Sequence, residues 1–428
     1  VKMFKVFALW LILSAGLSAD NWLYVVNGTS ETLSRINLAT MAVQNHVLIT
    51  GPVPNHAAIY EGLLYVVNSG SASLQIIDPA LPRTIAEVAL PLNSNPYWCD
   101  FWNGDALVSG FVSNSIYRVN LTTRQVIDTI PVGRSPAGVL CHAGRLYVAV
   151  TAFNPNDFSF GQGRVDEIDL ASGQVVGTIN VGKNPQCLAI GADGILNVIC
   201  TGDYVSIRGM IYFVDRAARR VVDSLATGGD PFQVVINRYG IGYVSAGGWT
   251  GSGHVFSYDA LNRILIRGES NPILVSTGAM GIALDSAGFI YSGGQLANSV
   301  TKFDGNGNVH GNFGVGAGPV SLAAYDSRTD IFETPSVQQD PIALGRPYPN
   351  PSNGGVMVPV VDNNIGSANI LLDIYDVCGR LMITLNRAGS GECFYWDGLD
   401  RSGATLPSGV YLARLRGCEG TLKFTILR

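Results

Sequence analysis

Seven copies of one phrase run through this chain: an aliphatic or aromatic strand, a polar turn, a second strand closing on Asp or Asn, then Gly and Pro. The closing residues are Asn37, Asp78, Asn120, Asp169, Asp215, Asp259 and Asp304, separated by 41, 42, 49, 46, 44 and 45 residues. Periods in the forties with several short strands per unit are the signature of a β-propeller, one blade per repeat. The expected fold is therefore all-β, with a seven-bladed β-propeller over residues 20–325.

The second copy reads most cleanly. Leu63 to Asn68 is a strand, Ser69 to Ser73 a turn, Leu74 to Asp78 a second strand and Thr84 to Leu90 a third; Asn95-Pro96 leads into a fourth. Val, Ile, Leu and Tyr fall on successive positions, as expected when neighbouring sheets cover both faces. A proline opens the fourth strand at 54, 96, 136, 185, 231 and 319, where a missing N–H costs least, and only the sixth copy has Ala279-Met280 instead. The array starts near Trp22 in the first strand of a unit and ends with the proline-led strand Pro319 to Tyr325. That phase predicts that the last strand joins the three N-terminal ones, removing free sheet edges.

A hydrophobic fraction of 47% with 14% charged residues excludes a disordered chain, and 51 glycines among 428 residues suit the many hairpins. Lys2 and Lys5, the apolar run Val6 to Leu17 and the small pair Ser18-Ala19 read as a signal peptide over residues 1–19. The run is shorter than the ~20 residues of a membrane span, so no transmembrane anchor is expected in the mature chain. Without Lys2 and Lys5, 25 of the 27 basic residues remain against 32 acidic ones, a net charge of −7. No basic tract is present, so nucleic acid is a poor partner. The expected destination is the medium or the outer cell surface. Seven cysteines leave at least one unpaired, and those of the array sit in apolar runs, as Val198-Ile199-Cys200 does.

The segments Leu64-Tyr65-Val66-Val67-Asn68 with Ile76-Ile77-Asp78, and Val126 to Gly133 followed by Ser135-Pro136, resemble the YVTN-type bacterial surface-layer propellers. The resemblance covers about 22–325 and implies the fold; such propellers serve binding, structural and enzymatic roles alike. After a linker over 326–345, residues 346–428 carry Tyr348-Pro349-Asn350-Pro351, Trp396-Asp397-Gly398, Ser402-Gly403 and Ser408-Gly409-Val410-Tyr411. Their alternation and turn spacing suggest an antiparallel sandwich of about seven strands. Those phrases resemble the type A sorting domain of the type IX secretion system and the related FlgD-like Ig fold. The resemblance implies an Ig-like β-sandwich read by the type IX secretion machinery during passage across the outer membrane. Few basic residues in the final strand, and Cys378, Cys393 and Cys418, depart from that pattern. Trp396-Asp397-Gly398 itself reads as a tight turn with Asp capping backbone N–H groups.

No nucleophile elbow, zinc-binding helix motif or phosphate-cradling loop is present, so no catalytic residue, metal ligand or cofactor is assigned. Asp304-Gly305-Asn306-Gly307-Asn308 starts like a calcium loop, but Val309 and Val315 occupy the positions of the required Gly and acid, which favours a Gly-rich turn. The positions two residues after each proline marker, expected at the channel mouth, are His56, Trp98, Gly138, Cys187, Gln233, Gly281 and Ser321. They offer no carboxylate and one histidine, which disfavours catalysis there. Loop length points elsewhere. The fourth to sixth copies are extended between their first and second strands, and these connections carry Phe153, Asn154, Asp157, Phe158, Phe160, Tyr204, Arg208 and Trp249. Rigid aromatics with a few polar groups suit contact with an extracellular protein or glycan; the alternative is loops packing their own aromatics against the ring. The leading expectation is a non-catalytic binding or surface-architecture protein; the competing one is a propeller lyase or hydrolase acting on extracellular carbohydrate or peptide.

Overall fold

The computed structural model describes residues 21–248 and 250–326, and toward the C-terminus residues 342–344, 347, 350, 352–353, 355–362, 371–376, 380–386, 393–415 and 422–428. The expected signal peptide and most of the expected linker fall outside the described residues. The chain divides into two compact units, Val1–Thr334 and Pro335–Arg428. Every regular element described is a β-strand, and among the described residues no helix is long and apolar enough to cross a membrane.

Among the described residues of the first unit the strands form seven antiparallel sheets, six of four strands and one of five. One sheet runs outwards through Pro54–Tyr60, Leu63–Asn68, Ser73–Asp78 and Arg83–Ala89. Burial falls along that path: Leu63–Asn68 is almost wholly buried, whereas Arg83–Ala89 shows mostly exposed positions. The proline-led strand, which follows the third strand of one repeat in sequence, is thus the innermost strand of the next sheet. The inner strands Pro54–Tyr60, Pro96–Trp102, Pro136–His142, Pro185–Ile190, Pro231–Ile236, Ala279–Leu284 and Pro319–Asp326 each pack against the next, and the last packs against the first. This closed ring of sheets is a β-propeller. In each sheet pairing the first residues of the inner strand show a register shift after position one, so the prolines stand at bulges where a ladder hydrogen bond is already lost.

The ring closes as its phase predicts. Asn21–Asn27 pairs antiparallel with Pro319–Asp326, from Asn21 opposite Asp326 through Tyr24 opposite Ala323, with a bulge before Asn27 meets Pro319. Between blades, hydroxyl groups donate to carbonyls of the next inner strand: Ser69 to Pro96, Ser109 to Ala137 and Thr201 to Pro231 at 2.7 Å, and Ser245 to Met280 at 2.5 Å. Toward the other face, Tyr24 donates its hydroxyl proton to the Pro79 carbonyl and Tyr243 to that of Gly305, 2.9 Å away. These bonds satisfy polar groups that would otherwise be buried alone.

Every closing residue of the sevenfold phrase has the same role. Its side-chain oxygen accepts a hydrogen bond from a backbone N–H two to four residues on: Ala39 and Thr40 for Asn37, Ala80 and Leu81 for Asp78, Thr123 for Asn120, Ala171 and Ser172 for Asp169. The series continues with Ala218 for Asp215, Leu261 and Asn262 for Asp259, and Asn306 and Asn308 for Asp304. A short side-chain acceptor is what such a turn requires, hence Asp or Asn each time. The would-be calcium loop is one of these turns: Asp304 also accepts from Asn308 Nδ2 at 2.9 Å and faces His310 Nε2 at 3.2 Å.

The described residues of the second unit form two antiparallel sheets. One holds Ile342–Leu344, Val356–Asp362 and Cys393–Trp396; the other holds Leu381–Asn386, Leu371–Asp376, Gly409–Leu415 and Leu422–Ile426. Both contribute to one core that includes Val356, Val358, Leu372, Ile374, Phe394, Trp396, Tyr411 and Phe424. The Trp396-Asp397-Gly398 segment is a capped turn: Asp397 accepts from the Leu399 N–H at 3.0 Å, while the buried Trp396 indole donates to the Leu399 carbonyl at 2.8 Å.

Candidate functional site

The extended connections join the second and third strands of the sheets led by Pro136, Pro185 and Pro231, and they emerge on the same face as the loops that feed the inner strands. The first of them folds into a small hairpin. Phe153 bridges Phe160, the Asn154 N–H donates to the Ser159 carbonyl at 2.8 Å, and Gly161 donates back to Ala152 at 3.0 Å. Asn154 and Asp157 are spent on the loop itself, accepting from the N–H groups of Asn156 and Ser159. Phe158, at the tip, has φ of 58° and is 76% exposed. A left-handed phenylalanine in water is held there by its loop and gains nothing from burial.

The second connection is built on Asp203. Its carboxylate accepts from the N–H groups of Val205, Ser206 and Ile207 between 2.7 and 3.0 Å, and these bonds, Ile207 foremost, hold it far below the usual carboxylate range. Tyr204, also left-handed, keeps 36% of its surface in water, while burial of the remainder pushes its hydroxyl up to about 12.

These loops bring most of the anticipated aromatics together. Phe153 lies 6.0 Å from Phe158 and 5.3 Å from Phe160, and Phe160 lies 6.1 Å from Tyr204. The row extends further than loop length suggests: Phe111 is 5.9 Å from Phe153, and Tyr97 is 5.5 Å from Phe111. Phe111 opens a short turn, so a search for long connections misses it; its position as the counterpart of Thr151 and Thr201 in the repeat was the available signal. Exposed Val112, Val205 and Ile207 belong to the same turns. Three successive blades thus present a band of rings with apolar neighbours.

Arg208 goes elsewhere. It pairs with Glu269 and, together with Gly229, Asp230, Ala246, Gly247, Ser252, His254 and Phe256, lines a cavity of about 40 Å³. A backbone hydrogen bond from Gly229, then Arg208 and His254, hold the Glu269 carboxyl low. Trp249 lies outside the described residues.

The positions expected at the channel mouth sit where neighbouring inner strands meet. His56 stacks on Trp98 of the next blade with ring centroids 3.9 Å apart, and burial pushes its imidazole down to about 3. Gln233 accepts from the Ile282 N–H at 3.3 Å, and Ser321 accepts from the Ala57 N–H at 3.0 Å. Cys187 is buried, and its thiol is pushed up to about 11 by burial. At Gly138 a Cβ would stand 2.4 Å from the Gln186 carbonyl oxygen, so the close approach of two strands requires glycine there.

No protein-family model and no curated protein matches this chain. Solved structures do. The Kuenenia stuttgartiensis hydrazine synthase is 18% identical with a TM-score of 0.54, over 65% of this chain and 93% of that one. A functionally unknown protein from Desulfotomaculum acetoxidans DSM 771 is 17% identical with a TM-score of 0.55, over 72% and 99%. The WD40 β-propeller domain of Doa1 is 12% identical with a TM-score of 0.53, over 66% and 88%. At such identities the likeness carries the β-propeller fold alone.

Proposed function

We propose that this chain is an exported, non-catalytic binding or surface-architecture protein. In this reading the ring, a seven-bladed propeller of YVTN type, is the functional module. The C-terminal unit, an Ig-like sandwich of the sorting type, directs secretion across the outer membrane. The observation that carries the binding role is the aromatic row with the exposed, left-handed Phe158 at its crest. Rigid rings supply large contact area at low entropic cost, which suits a protein or glycan surface. The seven strands among the described residues of the second unit, around Trp396, Tyr411 and Phe424, support the sandwich.

Two measurements test this. Binding of the purified protein to cell-surface material of its source organism should fall sharply in a Phe158→Ala, Phe160→Ala double variant; undiminished binding sinks the role given to the row. Fractionation with mass spectrometry of both chain ends should find the protein outside the cell without residues 1–19; a cytoplasmic protein retaining them refutes export.

A second reading, an enzyme on extracellular carbohydrate or peptide, has one observation in its favour: Arg208, Asp230, His254 and Glu269 converge on one cavity. At about 40 Å³ that space is far smaller than the roughly 300–1,000 Å³ of ordinary small-molecule sites. Turnover of a glycan or peptide that is abolished by Glu269→Gln would favour the enzyme.

A further inference from the structure

We propose that the cavity beside Asp230 receives the ammonium group of a lysine side chain on a protein partner. This deepens the binding role given to the loop-bearing face and rests on it. Asp230 ends the connection into the inner strand Pro231–Ile236, is only 9% exposed and lines the cavity. Its carboxylate has no hydrogen bond or ion pair among the described residues, whereas the neighbouring Glu269 is paired with Arg208. A buried charge without a partner is costly, and the natural remedy is a counter-charge with N–H donors.

The cavity's charge and size specify the guest. Two carboxylates face one guanidinium, and the remaining titratable groups around them are His254 and the Tyr204 hydroxyl. Asp230 and Glu269 outnumber Arg208 along the cavity walls, which disfavours carboxylate, phosphate and sulfate guests. A volume of about 40 Å³ exceeds the roughly 10–15 Å³ that one water requires, so a compact ammonium group fits. Among the described residues no cluster of three or more metal-type ligands is present, which points away from a coordinated metal ion.

Access and continuity favour a side chain delivered by a larger partner. The Arg208–Glu269 pair at the cavity is about half exposed, 48% and 46% at the side chains, so the guest can arrive from solvent. Tyr204 and Arg208 stand four residues apart in one connection, joining the cavity to the aromatic row. The Asp230 charge is close enough to act on the Tyr204 hydroxyl. Apolar residues flanking the lysine would then rest on Phe160 and Phe153.

The test uses the full chain with ¹⁵N-labelled glycine, titrated with n-butylammonium chloride and, separately, with 1-butanol of equal heavy-atom count. The amides of Gly229 and Gly247 should shift saturably with the ammonium and not with the alcohol. Asp230→Asn, isosteric and uncharged, should weaken the binding by about tenfold or more. Arg208→Gln, which removes the competing cation, should tighten it. Equal response to the alcohol, binding unaffected by Asp230→Asn, displacement by sodium chloride at equal concentration, or weaker binding in Arg208→Gln would each overturn the proposal. Those outcomes leave the aromatic row untouched, whereas surface binding that survives the Phe158, Phe160 double variant refutes the row and not the cavity.

Discussion

His56 makes the stability of the ring depend on pH in a direction and amount that can be worked out. The imidazole is buried against the Trp98 ring, its Nδ1 has no hydrogen-bond partner, and burial lowers its pKa from 6.5 to about 3. Because the folded value lies below the unfolded one, the unfolded chain takes up the proton first as pH falls. The neutral imidazole's contribution is therefore complete above pH 6.5 and is lost progressively towards pH 3. Between pH 7 and pH 4.5 that loss amounts to about 2.5 kcal/mol from this one group. Urea unfolding, followed by tryptophan fluorescence at both pH values in the wild type and in His56→Phe, measures it. Phenylalanine keeps a ring on Trp98 and cannot take a proton, so any packing cost is the same at both pH values. His142, lowered to about 4, and Asp100, raised to about 6, titrate in both proteins and cancel in the difference. If the two proteins lose the same stability on acidification, to within about 0.5 kcal/mol, the desolvation argument is wrong.

Other perturbations probe the rest of the fold. Deleting residues 319–325 removes the partner of Asn21–Asn27 and should abolish the cooperative melting of the ring, which calorimetry would record. Gly138→Ala places a Cβ 2.4 Å from the Gln186 carbonyl oxygen and 3.2 Å from Cys187 Cα, and should cost about 1–3 kcal/mol in urea unfolding. Asn120→Ala removes the acceptor for the Thr123 N–H, 2.8 Å away, and should cost about 1 kcal/mol, seen as a small drop in melting temperature.

The scaffold was legible because its determinants are local and repeated. Asn37 and its six counterparts cap their own turns, and a proline sits at six of the seven inner-strand starts, so each copy reports the same structure. The copy led by Ala279-Met280 builds the same strand without proline and keeps the register shift, between Ala279 and Ile282. One feature escaped the pattern. In the sheet led by Pro231 the outer strand is reduced to Ile264–Arg267 and the chain re-pairs at Ile273–Leu274, because Gly268 to Pro272 interrupts it. The sequence unit is also offset by one strand from the blade, since the chain passes to the next sheet at each proline. At the candidate site, loop length located Phe153, Phe158, Phe160 and Tyr204. It could not locate Phe111, whose turn is short, or the cavity, whose walls come from positions 208, 229–230, 246–256 and 269. The stacking of His56 on Trp98 joins two blades and leaves no mark in either segment alone.

The seam that closes the ring also fixes how it would yield to force. Asn21 stands opposite Asp326 at one end of the antiparallel pair, so the chain enters and leaves the ring side by side. A pull between those two points would load the hydrogen bonds one rung at a time, in the manner of a zipper, rather than all together in shear. The seam is thus the mechanical fuse of the molecule: it parts first, from Asn21 and Asp326 inward, and the remaining blades then unspool in order.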